Sequence, residues 1–232
     1  MIIPVSYPLK LQSPLYPGTP GITIVPEKSI VNGDSANTSI ISMSSHAGTH
    51  VDVSRHFCHN GQSIRDVFQP INSFSPVYCL DLPVSADTSI MADDLDEIIT
   101  GKNDAEALFI RTGTWQIRDT DSRKYMTEHP RVHAGVAALL RRKCPRLRLL
   151  GIDTISISTP SHREEGRDSH RAFLCEKNPI YLMEDVDLSS VTSMDTFTLI
   201  LIPWLIEDLD GVPVTAFLES NRLLLKGGPE YV

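Results

Sequence analysis

Between Ser44 and Phe57 the chain reads SSHAGTHVDVSRHF, and no other segment restricts its fold as much. Three of the eight histidines, His46, His50 and His56, crowd here around Asp52. So many polar groups in one short stretch need water or a shared partner. A helix would set His46 and His50 on one face at i and i+4. Gly48 costs about 1 kcal/mol relative to alanine in a helix, and Thr49, Val51 and Val53 are β-branched. The segment is therefore expected to be extended or looped. Side chains of an extended chain alternate, so His50 and Asp52 point to one side, and Gly48 lets the backbone turn until His46 converges on them. Two imidazoles and a carboxylate suit zinc, manganese or iron(II). His56 follows close enough to transfer protons without being a ligand. Polar loop residues, the ordinary alternative for one histidine, do not account for four groups in an HxxxHxDxxxH spacing.

This set leaves coordination positions open, so a second cluster is expected. The candidates lie in STPSHREEGRDSHRAFLCEKNPIYLMEDVDLS: His170 on an expected helix (DSHRAFLCEK) and Glu184 at the end of the strand after it. His162, Glu164 and Glu165 are rivals, but REEGRD reads more simply as a solvated turn. The remaining chain alternates short strands and helices. Strands are expected at IIPVSY, TSIISMSS, VYCLDL, ALFIRTG, LRLLGID, PIYLME, TFTLILIPW and VPVTAFLES. Helices are expected at ADDLDEIIT and between Pro130 and Lys143, where Val132, Val136, Leu139 and Leu140 recur at helical spacing. The result is a mixed α/β chain with strands more numerous than helices. Its 232 residues suit a single domain.

A net charge of −8 argues against a nucleic-acid or anionic-membrane binder. RRKCPRLR, the one basic cluster, reads as a solvated helix end. Cys58, Cys79, Cys144 and Cys175 show no CxxC pairing, so neither a disulfide framework nor a thiolate zinc site is expected. Reduced thiols and the lack of a signal-like start in MIIPVSYPLK suggest a cytoplasmic protein. TFTLILIPWLI is too short to span a bilayer. There is no Gly-x-Ser-x-Gly elbow for a serine nucleophile and no phosphate-binding loop. Arg111 is read as pairing with an acidic neighbour, and Trp115 and Trp204 as packing.

HAGTHVDVSRHF resembles the HxGTHxDxPxH(F) signature of the metal-dependent cyclase family, which includes kynurenine formamidases and isatin hydrolases. YPLKLQSPLYPGTP, ALFIRTG, LLGIDTISIS and HRAFL…PIYLMEDVDLS are similar to further family segments, so the resemblance covers nearly the whole chain. It implies a swivelling β/β/α-type α/β fold and a homodimer or homotetramer. It also implies a site in which His46, His50 and Asp52 hold one Zn2+ or Mn2+, with His170 and Glu184 holding a second and Asp52 bridging. His56 matches the family's acid/base. Tyr16 stands where formamidases place a substrate-packing tryptophan, and with Phe57 it could wall a planar small-molecule substrate. The chain departs from the pattern at Val53-Ser54, usually Ala-Pro; at Ile155, often proline; and in a His170–Glu184 interval two residues longer. The implied chemistry is hydrolysis of a C–N bond in an aryl formamide, cyclic amide or isatin-like compound. A lactone- or ester-cleaving member of the family is one alternative. A non-haem iron(II) oxygenase, built on His50, Asp52 and His170, is the other.

Overall fold

The computed structural model describes residues 1–192 and 196–221. Among them are twelve strands and five α-helices. Eight strands form one sheet: β1 (Ile2–Pro4), β4 (His50–Asp52), β5 (Asn72–Asp81), β7 (Ala107–Arg111), β9 (Leu149–Ile152), β10 (Tyr181–Glu184), β11 (Thr196–Pro203) and β12 (Gly211–Ser220). Their order is β1-β12-β11-β5-β7-β9-β10-β4, and β4 also pairs with β12. That last pairing closes the sheet into a ring, because one edge of β12 carries β11 while the other carries β1 and then β4. Strands β5, β7, β9 and β10 run parallel, and the pairs involving β4, β11 and β12 are antiparallel.

Closure creates two cores. Val51, Phe74, Val77, Phe109, Met183, Phe197, Leu199 and Val212 fill the inside of the ring. Leu108, Ile110, Leu150, Ile152 and Leu182 face outward from the parallel strands. They are covered by Leu95 of α2 (Ala92–Asp96), Val136 and Leu140 of α4 (Gly135–Lys143) and Phe173 of α5 (Arg163–Leu174). Burial on both faces explains why ALFIR and LLGI read as continuous apolar runs rather than alternating ones. The smaller elements are hairpin β2 (Thr23–Lys28) with β3 (Thr38–Ser42), pair β6 (Ser89–Ile90) with β8 (Arg131–Val132), and helices α1 (Ile64–Val67) and α3 (Ser122–Thr127).

The structure corrects four expectations. REEGRD is no turn: it opens α5, with Glu164 and Glu165 in the first turn where the helix dipole favours acids. The helix expected from Pro130 begins at Gly135, because Arg131 and Val132 pair with Ser89 and Ile90 instead. Cys58 and Cys175 form a disulfide across 117 positions, which removes the cysteine argument for a reducing compartment. Spacing carries no signal for such a pair; folding brought the two together. The basic cluster closes α4 as expected, with Arg141, Arg142 and Lys143 in its last turn; Arg141 also donates to the Ala172, Phe173 and Asn178 carbonyls, and Arg146 and Arg148 donate to Glu106. Trp204 is 46% exposed, not packed. Arg111 does pair with Asp81, and it reaches the Leu188 and Val191 carbonyls. No helix among the described residues is long and apolar enough to cross a membrane.

Candidate metal centre

The histidine-rich segment is extended where the β-branched residues fall, and β4 sits between β10 and β12. Gly48, at φ +67°, turns the chain just before it. The register sets Glu184 of β10 opposite His50, and Gly211 of β12 opposite Asp52. His50 Nε2 lies 3.5 Å from Asp52 Oδ1 and 3.5 Å from Glu184 Oε2. His46 Nδ1 stands 2.8 Å from Asp52 Oδ1. From α5, His170 Nε2 comes within 3.6 Å of Glu184 Oε1. Donor atoms of His46, Asp52 and His56 lie within 4.8 Å of one another, and so do those of His50, Asp52 and Glu184, so Asp52 is common to both groups.

The rings are held from behind. His50 Nδ1 donates to the Gly48 carbonyl at 2.8 Å, and His170 Nδ1 to the Gly166 carbonyl at 2.7 Å. Each bond fixes the tautomer and leaves Nε2 with a free lone pair facing the cluster. Glu184 Oε1 accepts from the Ile157 amide at 2.7 Å and the Ser156 hydroxyl at 3.1 Å. Beside it, the fully buried Asp185 accepts a two-pronged pair from Arg118, at 2.7 Å each, and a bond from Tyr125, which pins this strand end. Gly166, inside α5, leaves room for Ser158, whose Cβ would lie 2.3 Å from an added Cβ.

Asp52 tests whether this cluster fits a cation. It is 1% exposed and makes no well-formed hydrogen bond, although imidazole nitrogens approach its Oδ1, His46 Nδ1 at 2.8 Å and His50 Nε2 at 3.5 Å. A buried carboxylate without such a bond is costly unless a positive charge faces it. Burial opposes protonation of His46, yet Asp52 and the hydrogen bond to Asp210 push its pKa up to about 10. Asp52 and Glu184 outweigh burial at His50, and Glu184 does so at His170, so both are raised. In turn, burial would raise Asp52 and Glu184, but the histidines hold both below the usual carboxylate range. The cluster is thus built around positive charge, and its nitrogen and oxygen donors fit a divalent ion.

Of the sequence candidates, His46, His50, Asp52, His56, His170 and Glu184 therefore converge. The rivals do not: His162 leans toward Asp87 at 3.5 Å, Glu164 is exposed and Glu165 pairs with Arg131 and Ser89. A cavity of about 350 Å³ opens over the cluster, with Tyr16, Phe57 and Ile155 on its wall and Arg163 and Arg167 among its lining. Phe57 stacks on His170, with centroids 4.4 Å apart, and meets His56 edge-on at 4.5 Å. Asp210 was not foreseen. Its Oδ2 lies 3.0 Å from His46 Nε2 and 2.8 Å from His56 Nδ1. Burial would raise this carboxyl, but those two contacts hold it far below the usual range. Nothing in the local sequence IEDLDG separates it from Asp208.

The sequence model of a family described as "Putative cyclase" matches residues 3–159. The chain belongs to this cyclase family. Curated relatives of the cyclase include the kynurenine formamidase of Bacillus mycoides (strain KBAB4), 29% identical over 220 residues, spanning 93% of this chain and 96% of the relative. That of Bacillus anthracis is 27% identical with the same coverage. Among solved structures, isatin hydrolase A from Labrenzia aggregata superposes with a TM-score of 0.75 at 17% identity, covering 94% of this chain and 93% of that one. A "predicted metal-dependent hydrolase" from Bacillus stearothermophilus gives 0.73 at 19% identity, covering 94% and 97%. These two likenesses establish that the cyclase shares their fold. Within it, the RTG and GID segments are structural: Asp153 accepts from the Thr112 amide and hydroxyl and from the Gly113 amide.

Proposed function

We propose that this cyclase is a metal-dependent hydrolase of non-peptide C–N bonds, arylformamidase-like, formed as a single domain over residues 1–232. The observation that carries this reading is the buried Asp52 carboxylate, which makes no well-formed hydrogen bond, is approached by His46 and His50, and has His56 within reach of the same point. His46, His50 and Asp52 would hold one Zn2+ or Mn2+, and His170 and Glu184 would hold a second beside it. A bound ion of this kind supplies an acidified water and a charge for the developing oxyanion. His56 takes the proton of the attacking water and returns it to the departing nitrogen, since an amide nitrogen leaves poorly unprotonated. Tyr16 and Phe57 wall a planar substrate. Arg163 and Arg167, one helical turn apart and with no ion pair among the described residues, favour a substrate bearing a negative charge.

An iron(II) oxygenase needs only two histidines and a carboxylate, so His46 and His56 at the same carboxylate support hydrolysis instead. Self-association as a homodimer or homotetramer belongs to the same proposal. It is supported by the β2–β3 hairpin, where Ile24, Val25, Ile40 and Ile41 are all at least half exposed. Elemental analysis of purified protein, with turnover of N-formylkynurenine, isatin and cyclic imides, tests the reading. His56→Ala should retain metal and lose about 10²–10⁴-fold in kcat. Near-normal turnover with equal metal content would remove His56 from this role.

A further inference from the structure

Asp210 stands at the last position before β12, and it is fixed by the same ladder that carries Asp52. Its carbonyl accepts from the Val53 amide at 3.0 Å, and its neighbour Gly211 lies opposite Asp52 in the β4–β12 register. From there a single oxygen, Oδ2, faces two imidazoles: His46 Nε2 at 3.0 Å and His56 Nδ1 at 2.8 Å. The two rings lie 4.2 Å apart at 30°, side by side over that oxygen. The far nitrogen of His46 is the one 2.8 Å from Asp52. A carboxylate oxygen meets both N–H groups with negative charge, whereas an amide oxygen would meet them neutral and beside a competing N–H donor.

We infer that Asp210 is a positioning residue that locks the tautomers of His46 and His56 together. It turns Nδ1 of His46 toward the metal position and Nε2 of His56 toward the cavity. The inference rests on the functional reading above, in which His46 holds the ion and His56 moves the proton. A carboxylate behind a ligating histidine raises its basicity, and losing such a partner typically costs about 10–100-fold in metal affinity or activity. Asp210 stands behind a ligand and a proton carrier together, so its removal should be felt in both places.

The test is a double-mutant cycle on the full chain with Asp210→Asn, His56→Ala and the pair. Zn2+ affinity is read by competition with a chromophoric chelator, and kcat and KM with formanilide at saturating Zn2+. Asp210→Asn should weaken zinc by about 10–100-fold and lower kcat by a similar factor, with KM nearly unchanged. In the His56→Ala background the same substitution should still weaken zinc, through His46, but take nothing further from kcat. A purely structural ion pair would shift the melting temperature and leave both readouts in place. Zinc affinity within about threefold of wild type, or additive kcat losses in the pair, would overturn the inference. Asp210→Ser serves if the asparagine variant does not fold. Wild-type protein that binds zinc and leaves formanilide intact would count against the substrate reading alone, while the zinc arm still decides Asp210.

Discussion

Replacing Gly211 with alanine adds one methyl group at the closest approach of β12 to the cluster. An added Cβ would lie 2.5 Å from His46 Cε1 and 2.9 Å from both His46 Nδ1 and Asp52 Oδ1. Carbon atoms rest about 3.5 Å or more apart, so His46 must retreat by roughly 1 Å. Metal–ligand lengths tolerate only about 0.2 Å, so that retreat removes His46 from the metal's reach. Zinc affinity should then fall by at least about 100-fold, more than the loss of an outer partner produces. The structural cost should be small, toward the low end of the 1–3 kcal/mol typical of overpacking, because His46 is 22% exposed and can swing toward the cavity. In melting experiments with zinc at about 100 times the wild-type Kd, the metal should stabilise wild type by about 2.7 kcal/mol and the variant by only about 0.4 kcal/mol. Gly21→Ala is the control, since nothing lies within 4 Å of an added Cβ there. A Gly211→Ala protein that binds zinc within about threefold of wild type would show that the cluster does not hold the ion as argued.

Arg163→Ala and Arg167→Ala should raise KM several-fold for N-formylkynurenine, which carries a carboxylate, and leave neutral formanilide unaffected; equal effects on both substrates would dismiss the charge argument. Reducing the Cys58–Cys175 disulfide should cost about 2–4 kcal/mol in urea unfolding, because the bond closes a long loop of the unfolded chain. Identical unfolding midpoints with and without reductant would refute it. The pH dependence follows from His46, whose pKa is raised from 6.5 to about 10 in the metal-free fold. The folded state then holds the proton more tightly than the unfolded chain. Its stabilising contribution is complete below pH 6.5 and is lost as pH rises toward about 10. Zinc-loaded protein should trend the opposite way, since ligands must shed protons to bind. Urea midpoints at pH 6 and 9, in chelator and in zinc, check the signs, and a metal-free protein equally stable at both would contradict them.

The close part of the site was legible because its geometry is local. His50 and Asp52 share a side by the two-residue period of a strand, and Gly48 supplies the turn that brings in His46. Apolar runs such as ALFIR and LLGI announced buried strands by composition alone. Where local patterns competed with distant partners, the reading failed. Val132 has helical spacing with Val136, but a two-residue pairing with β6 claims it. The charged REEGRD looked like a solvated turn, although it is the exposed first turn of an amphipathic helix whose buried face begins at Gly166.

Residue types and short-range periodicity determined that His46, His50 and Asp52 would cluster, that His56 would follow them, and that the chain would be a strand-rich α/β fold. Tertiary structure alone decided what surrounds that cluster. Antiparallel pairing of β4 with both β10 and β12 set Glu184 against His50 and delivered Asp210 and Gly211 to the far side. It also left Cys58 and Cys175 within bonding distance. Closing a ring of strands depends on contacts between segments more than a hundred residues apart, and such contacts leave no periodic trace in either segment.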